Sequence, residues 1–241
     1  MDGLSAREEQ VLGSIHSHLG GIPLIGGSAG DGMKFEETFV ARDGVARSGG
    51  AVLAIVRTSR PFMPFKTQHF EPGETRLVIT EADPIQRVVR EINGAPAAEE
   101  FARVLGLTVE ELSPLIFATR PIILRSGGQC YIRSVQQVNP DGSLSFLSMI
   151  EEGLVLRLAQ PGEPGAVLAQ QFDEVRERIG QPSLVVAFDC VLRSIEFEHR
   201  ELFDRIGGLL KSNNAVGFST YGEQWGAMHV NQTLVGVAIG R

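Results

Sequence analysis

The chain has 241 residues, 43% of them hydrophobic, and a formal net charge of −7 at pH 7. Its length and apolar content are sufficient for one large domain or two smaller ones, each with a core. The basic residues form no block that could neutralise phosphates, so we expect no nucleic-acid partner. No stretch approaches the ~18 to 20 apolar residues of a membrane span. Cys130 and Cys190 are isolated and suggest buried thiols of a reducing compartment. We therefore expect a cytoplasmic protein without a membrane partner.

The N-terminal part of the chain predicts one helix followed by short strands. Apolar spacing predicts an amphipathic helix over residues 4–19, with Ser5 and Glu8 as a capping box. Strands are predicted at 22–25, 38–45 and 51–56. The last of these is almost wholly apolar and is therefore expected at the centre of a sheet. Two prolines, Pro61 and Pro64, then break the pattern and indicate a domain boundary near residue 60.

The remaining residues predict mixed elements. Helices are expected at 84–92 (with Asp83 as cap), 97–105, 108–118 (with Thr108 and Glu111 as a capping box), 166–179 and 196–210. Strands are expected at 65–70, 75–80, 122–125, 129–138, 144–147, 154–158, 183–188, 215–220 and 232–239. Helices segregated against largely antiparallel sheets predict the α+β class, with an α/β-like N-terminal portion.

The glycine-rich turn at 26–32 carries the first candidate chemistry. Its first five residues fit G-x-S-x-G, the nucleophile elbow of α/β hydrolases, with Ser28 as the nucleophile. An elbow requires a helix directly after the serine, whereas a strand is predicted here at 38–45. A structural turn or a ligand-facing backbone loop is the favoured interpretation, and a serine hydrolase is the alternative.

Polar side chains are concentrated in the C-terminal third. In residues 188–193 a polar cluster ends an apolar strand, where sheets commonly present ligand-binding groups. Residues 217–233 then combine two glycines with a dense polar set: Tyr221, Glu223, His229, Asn231 and Thr233. A purely structural turn rarely needs so many polar types, so a polar pocket wall and a satisfied structural turn remain equal alternatives.

Several segments resemble the FIST family in the family's own order. GFSTYGEQ followed by MHVNQT is similar to the FIST C-terminal domain, as are ITEADPIQRVVREINGAPAAEEFARVLGL, EEGLVLRLA and FDCVLRS. IPLIGGSAGDGMKF resembles the end of the FIST N-terminal domain. The resemblance implies that residues 1–60 are the C-terminal part of a FIST N-terminal domain, truncated relative to the family, and that residues 61–241 are the FIST C-terminal sensory domain.

This resemblance implies a non-catalytic sensor of small ligands that regulates a histidine kinase or a diguanylate cyclase or phosphodiesterase of cyclic-di-GMP. The sequence of these segments resembles the branch of the family described as haem-containing nitric-oxide sensors, so haem is the expected cofactor. The candidate haem ligands are His69, His229 and Cys190. The candidate ligand-binding residues are Gly27, Ser28, Asp31, Arg193, Tyr221, Glu223, Asn231 and Thr233. An amino-acid sensor without haem and a protein-binding adaptor with an exposed apolar patch are further alternatives.

Overall fold

The computed structural model describes all 241 residues. They form two compact units, each described by itself below. The first unit contains residues 1–69, 163–229 and 233–241, and the second contains residues 70–162 and 230–232. The first unit therefore includes both ends of the chain.

The chain forms six α-helices and seventeen β-strands. The six α-helices are α1 (Glu8–His16), α2 (Ala97–Leu105), α3 (Pro114–Thr119), α4 (Pro164–Ile179), α5 (Val191–His199) and α6 (Phe203–Ser212). The first eight strands are β1 (Ile25–Gly27), β2 (Val40–Arg42), β3 (Val45–Arg47), β4 (Phe62–Thr67), β5 (Phe70–Asp83), β6 (Val88–Ile92), β7 (Ala95–Pro96) and β8 (Ile122–Ser126). The other nine are β9 (Gln129–Arg133), β10 (Val135–Val138), β11 (Leu144–Phe146), β12 (Val155–Pro161), β13 (Leu184–Cys190), β14 (Ala215–Thr220), β15 (Glu223–Trp225), β16 (Met228–Val230) and β17 (Leu234–Ile239).

A four-stranded sheet of order β14-β13-β17-β4 organises the first unit. Strands β13 and β14 are parallel, and the other neighbours are antiparallel. One face of this sheet packs against helices α4, α5 and α6 in a core that includes Phe65, Phe172, Val185 and Phe197. Removing such side chains from water stabilises the fold by roughly 1.5–3 kcal/mol each. Pro64 is accommodated because β4 lies at the edge of the sheet, where a missing N–H costs little.

Two smaller sheets complete the first unit. Strands β1, β15 and β16 form a three-stranded sheet, in which β1 and β15 are antiparallel and Gly27 lies opposite Glu223. Strands β2 and β3 form a hairpin around Asp43 and Gly44, both of which have positive φ. The three-stranded sheet thus places the glycine-rich turn after β1 beside the residues that follow β14.

The second unit is an antiparallel sheet with helices on its core side. Its strand order is β10-β11-β6-β5-β12-β8-β9, and β7 pairs with β6. Register shifts in the pairing of β5 with β6 and with β12 interrupt the ladder, as β-bulges do. The core includes Leu77, Ile79, Phe101 and Ile122, all nearly or fully inaccessible to solvent. The α+β class predicted from the sequence is therefore confirmed. The longest helix, α4, has 16 residues, and no helix is long and apolar enough to cross a membrane.

Two predicted elements are wrong. Residues 51–56, expected as a central strand, form no strand and are exposed, because no neighbouring strand pairs with their backbone. Residues 84–92, expected as a helix, form a turn followed by β6. The Asp83 carboxylate accepts hydrogen bonds from the N–H groups of Ile85 and Gln86, and Arg87 has a positive φ. The chain therefore reverses and pairs its β-branched residues with β5.

Other boundaries differ by local geometry. The predicted helix over 196–210 is two helices, α5 and α6, because Glu201 takes a positive φ between them. The Ser5–Glu8 capping box is absent, since the Ser5 hydroxyl donates to the Asp2 carbonyl and Glu8 is fully buried. The Thr108 capping box is present and begins a short 3-10 turn. Strands β15 and β16 were missed because each has only three residues.

Candidate functional site

Glu223 is a fully buried carboxyl group at the start of β15. Its Oε1 accepts a hydrogen bond from the Thr220 hydroxyl at 2.5 Å, and its Oε2 accepts one from the Thr233 hydroxyl at 2.5 Å. Thr220 is the last residue of β14, and Thr233 directly precedes β17. Strands β14 and β17 lie on either side of β13. Burial raises the pKa of Glu223 to about 8, more than these hydrogen bonds lower it. Glu223 therefore gains or loses its proton near neutral pH.

A second buried polar group begins where β13 runs into α5. Arg193 Nε donates to Asp189 Oδ1 at 2.6 Å, and Arg193 Nη1 lies 3.4 Å from His69 Nδ1. His69 Nε2 lies 2.8 Å from Glu196 Oε2, and Arg200 Nη1 donates to Glu196 Oε1 at 2.8 Å. An arginine can only donate, so His69 Nδ1 is the acceptor and Nε2 carries the proton given to Glu196. These side chains form one continuous chain of hydrogen bonds.

Burial and neighbouring groups shift the pKa values of the acids and the histidine in this chain of hydrogen bonds. Burial lowers the pKa of His69, which favours the neutral ring. Burial opposes ionisation of Glu196, but the hydrogen bonds from His69 and Arg200 hold its pKa below the ordinary value. Burial raises the pKa of Asp189 despite its contact with Arg193. Arg193 Nη2 is buried and makes no hydrogen bond within the protein, so it can donate to an acceptor on a ligand.

Tyr221 and Asp31 join the two glycine-containing segments. The Tyr221 hydroxyl donates to Asp31 Oδ1 in a short hydrogen bond, and the Tyr221 ring stacks on Phe35 with centroids 4.5 Å apart. The N–H groups of Phe35, Glu36 and Glu37 also donate to the Asp31 carboxylate. Donation from Tyr221 holds the pKa of Asp31 well below its usual range, and burial raises the pKa of Tyr221 to about 12. The Tyr221–Asp31 pair, called the clamp below, holds the turn that follows β1 against the segment after β14.

Ser28 lies inside the protein rather than at the head of a helix. Its hydroxyl donates to Glu8 Oε1 at 3.3 Å and accepts from Gln224 Nε2 at 2.9 Å. The elements that follow Ser28 are the hairpin strands β2 and β3, and the residue is fully buried. This geometry lacks the strand-to-helix turn of a nucleophile elbow, and neither partner of the hydroxyl is a histidine.

A cavity of about 930 Å³ lies in the first unit, against the face of the four-stranded sheet that α4, α5 and α6 leave uncovered. The sheet contributes residues of β4, β13, β14 and β17. The rest of the lining comes from Met1, from α1, and from residues within 19–30, 39–41 and 51–58. The glycine-rich turn reaches this cavity through Gly26, Gly27, Ala29 and Gly30, and the stretch 218–224 reaches it through Phe218, Ser219 and Gln224.

The cavity is mainly apolar and partly open to solvent. Val186, Phe188, Val237 and Ile239 form its sheet wall, and exposed side chains such as Ile55, which is 78% exposed, border it. A volume of this size is within the range of about 300 to 1,000 Å³ that holds organic ligands. The residues 51–56 that form no strand therefore help to enclose the cavity instead of joining a sheet.

The predicted site residues fall into separate groups. Gly27 lines the cavity, whereas the other ten candidates do not. Glu223 and Thr233 lie in one buried cluster, and Asp31 and Tyr221 form the clamp. Asn231 belongs to the second unit and is fully buried there.

The three predicted haem ligands do not fit an iron site in this cavity. Both ring nitrogens of His69 face polar partners, Arg193 on one side and Glu196 on the other. Cys190 is fully buried at the end of β13, and His229 faces carboxylates near the start of α1. Haem needs an axial ligand on the wall of its pocket, and none of the three residues lines this one.

Sequence reasoning missed four residues that complete these clusters. Glu8 was assigned to a helix cap, while Thr220, Glu196 and Gln224 were not singled out at all. Glu196 and His69 are 127 positions apart, and Gln224 and Ser28 are 196 positions apart. No local pattern connects such pairs. The one available signal was that an acid and an amide, Glu223 and Gln224, follow the strand predicted at 215–220.

Comparison with known proteins found two family models. The FIST N domain model matches residues 1–95, and the FIST C domain model matches residues 97–225, which is more than half of the chain. No curated protein and no solved structure matched the chain.

Proposed function

The chain belongs to the FIST family, whose members are sensory modules for small ligands in signal transduction, and we propose that it binds a mainly apolar organic ligand in the 930 Å³ cavity. The observation that carries this proposal is the cavity itself. Its lining is mainly apolar, and the backbone of the glycines together with the side chains of Thr58, Ser219 and Gln224 can orient a ligand.

The buried polar clusters support a sensory role. The cluster of Glu223 adjoins the cavity, because Gly27, which lines the cavity, is paired with Glu223 across β1 and β15. A ligand that displaces Gly27 or Gln224 would alter the hydrogen bonds of Ser28 and the surroundings of Glu223. Such a change in the local charge is a signal that a partner can read. We propose a histidine kinase or a cyclic-di-GMP cyclase or phosphodiesterase as that partner, a cytoplasmic location, and no catalysis by the chain itself.

A cavity-filling variant tests the proposal. We expect Val237→Trp, on the sheet wall, to weaken binding of the apolar fluorophore 1-anilinonaphthalene-8-sulfonate by at least about fivefold, because the indole occupies the ligand volume. Val216→Trp is the matched control, since Val216 lies on the same face of β14 but outside the cavity lining and is 58% exposed. Equal affinity of the two variants would contradict the cavity as the binding site. Native mass spectrometry of the purified chain would identify a co-purifying ligand.

A narrower proposal is a haem-based nitric-oxide sensor, which rests on the sequence resemblance. The size and apolar lining of the cavity are compatible with a haem, but His69, His229 and Cys190 lie off its walls. Absorbance spectra of the purified chain with added haem, and then with nitric oxide, test it directly. Absence of a Soret band after haem addition would remove this form of the proposal while leaving the sensor of an apolar ligand in place.

A further inference from the structure

A cluster of three metal-ligating side chains lies apart from the cavity lining. His229 Nδ1, on β16, is 3.9 Å from Glu8 Oε2 and 3.8 Å from Glu9 Oε1 at the start of α1. All three ligand-type atoms lie within 4.8 Å of one another. The side chains of His229 and Glu8 are 1% and 0% exposed, and that of Glu9 is 22% exposed. The cluster is therefore enclosed on two sides and open on the side of Glu9.

The three ligand-type atoms are spaced as for one shared ion. Two ligands that each lie about 2.1 Å from a common ion are separated by roughly 3.4 Å in a tetrahedron and by at most about 4.2 Å. The two distances to His229 already fall in this interval. The third pair, Glu8 and Glu9, has its ligand-type atoms within 4.8 Å.

The donor set indicates the class of ion. One imidazole and two carboxylates are ligands for divalent transition metals, whereas Mg²⁺ and Ca²⁺ prefer oxygen ligands alone. A second layer of contacts orients Glu8, because Ser28 donates to its Oε1 and Gln224 donates to Ser28. Metal sites commonly fix their ligands through such outer contacts.

We propose that Glu8, Glu9 and His229 bind one divalent transition-metal ion of the Zn²⁺ or Co²⁺ type. The partly exposed Glu9 side leaves coordination positions for water or for a ligand atom. The site joins α1 to β16, so it links the helix that walls the cavity to the strand beside β15. This inference is independent of what the cavity binds.

The competing explanation is an ion pair in which a protonated His229 lies between the two carboxylates. The two explanations differ in metal retention, because an ion pair of this kind binds no metal.

The test uses the full chain, stripped with a chelator and then dialysed against Zn²⁺ or Co²⁺. We expect about one equivalent of either metal to be retained, with a visible Co²⁺ absorption spectrum, and at least about tenfold weaker binding in Glu9→Gln and His229→Ala. Glu198→Gln and His199→Ala are matched controls, because both residues are exposed on α5 and lie outside the cluster.

Two results would overturn the proposal. The first is wild-type protein that retains neither metal at pH 7.5. The second is retention by Glu9→Gln equal to that of the wild type, which would place any bound metal elsewhere. Glu9 is partly exposed, so this variant decides the matter even where His229→Ala fails to fold, as judged by its circular dichroism and thermal unfolding.

Discussion

Replacing Glu223 by glutamine converts a titrating buried group into one that stays neutral at every pH. The pKa of Glu223 is raised from the ordinary 4.5 to about 8 by burial. The folded protein therefore holds this proton while the unfolded chain has lost it, so the associated stability is complete below pH 4.5 and is lost as the pH rises through 8. At about 1.4 kcal/mol per pH unit, the wild type loses roughly 3 kcal/mol from this group between pH 5 and 7.

The Glu223→Gln variant should not show this pH-dependent loss of stability. The amide resembles the protonated carboxyl and can still interact with the hydroxyls of Thr220 and Thr233, which occupy both carboxyl oxygens in the wild type. We expect Glu223→Gln to match the wild type near pH 5 and to be more stable above pH 7. Urea unfolding of both proteins at intervals from pH 5 to 8 measures the difference, and other titrating groups cancel in the comparison. Parallel stability profiles for the two proteins would refute the reasoning.

Three further substitutions test other parts of the fold. Gly217→Ala should destabilise the protein by more than about 2 kcal/mol, because a Cβ there would lie 1.8 Å from the carbonyl oxygen of Ala187 in β13. Gly208→Ala, in open space on α6, should instead stabilise by about 0.5–1 kcal/mol in the same denaturation assay. Asp31→Asn should lower the pKa of Tyr221 from about 12 towards 10, since Asp31 no longer disfavours loss of the hydroxyl proton. Tyrosinate absorbance at alkaline pH measures this shift, and an unchanged Tyr221 titration would show that burial alone sets it.

The sequence determined the class of the fold and most of its regular elements. Apolar periodicity located the helix at 97–105 and the strands of the meander from 122 onward, because these elements bury one face and carry their own local signal. Local capping chemistry likewise predicted the Thr108 turn, whose two hydrogen bonds involve residues three positions apart. The resemblance to the FIST family was confirmed by family models over residues 1–95 and 97–225.

The failures share one physical cause. Residues 51–56 have the composition of a central strand, but a strand forms only when its backbone groups find hydrogen-bonding partners. The four-stranded sheet ends at β4 and β14, so residues 51–56 are not paired with it. The predicted helix at 84–92 gave way to β6 because pairing with β5 outweighed its helical pattern. In both cases a non-local contact decided the outcome.

The candidate site shows the same division between local signal and tertiary contact. The sequence identified Tyr221, Glu223 and His229 as polar residues in an unusual stretch, and it left a pocket wall and a structural turn as equal alternatives. Only the tertiary structure separated them into a clamp with Asp31, a buried cluster with Thr220 and a contact with Glu8. Side-chain direction reverses with each residue of a strand, so residues adjacent in sequence face different surroundings. Tyr221 meets Asp31, which is 190 residues away, whereas Glu223 meets Thr220 and Thr233, which are 3 and 10 residues away.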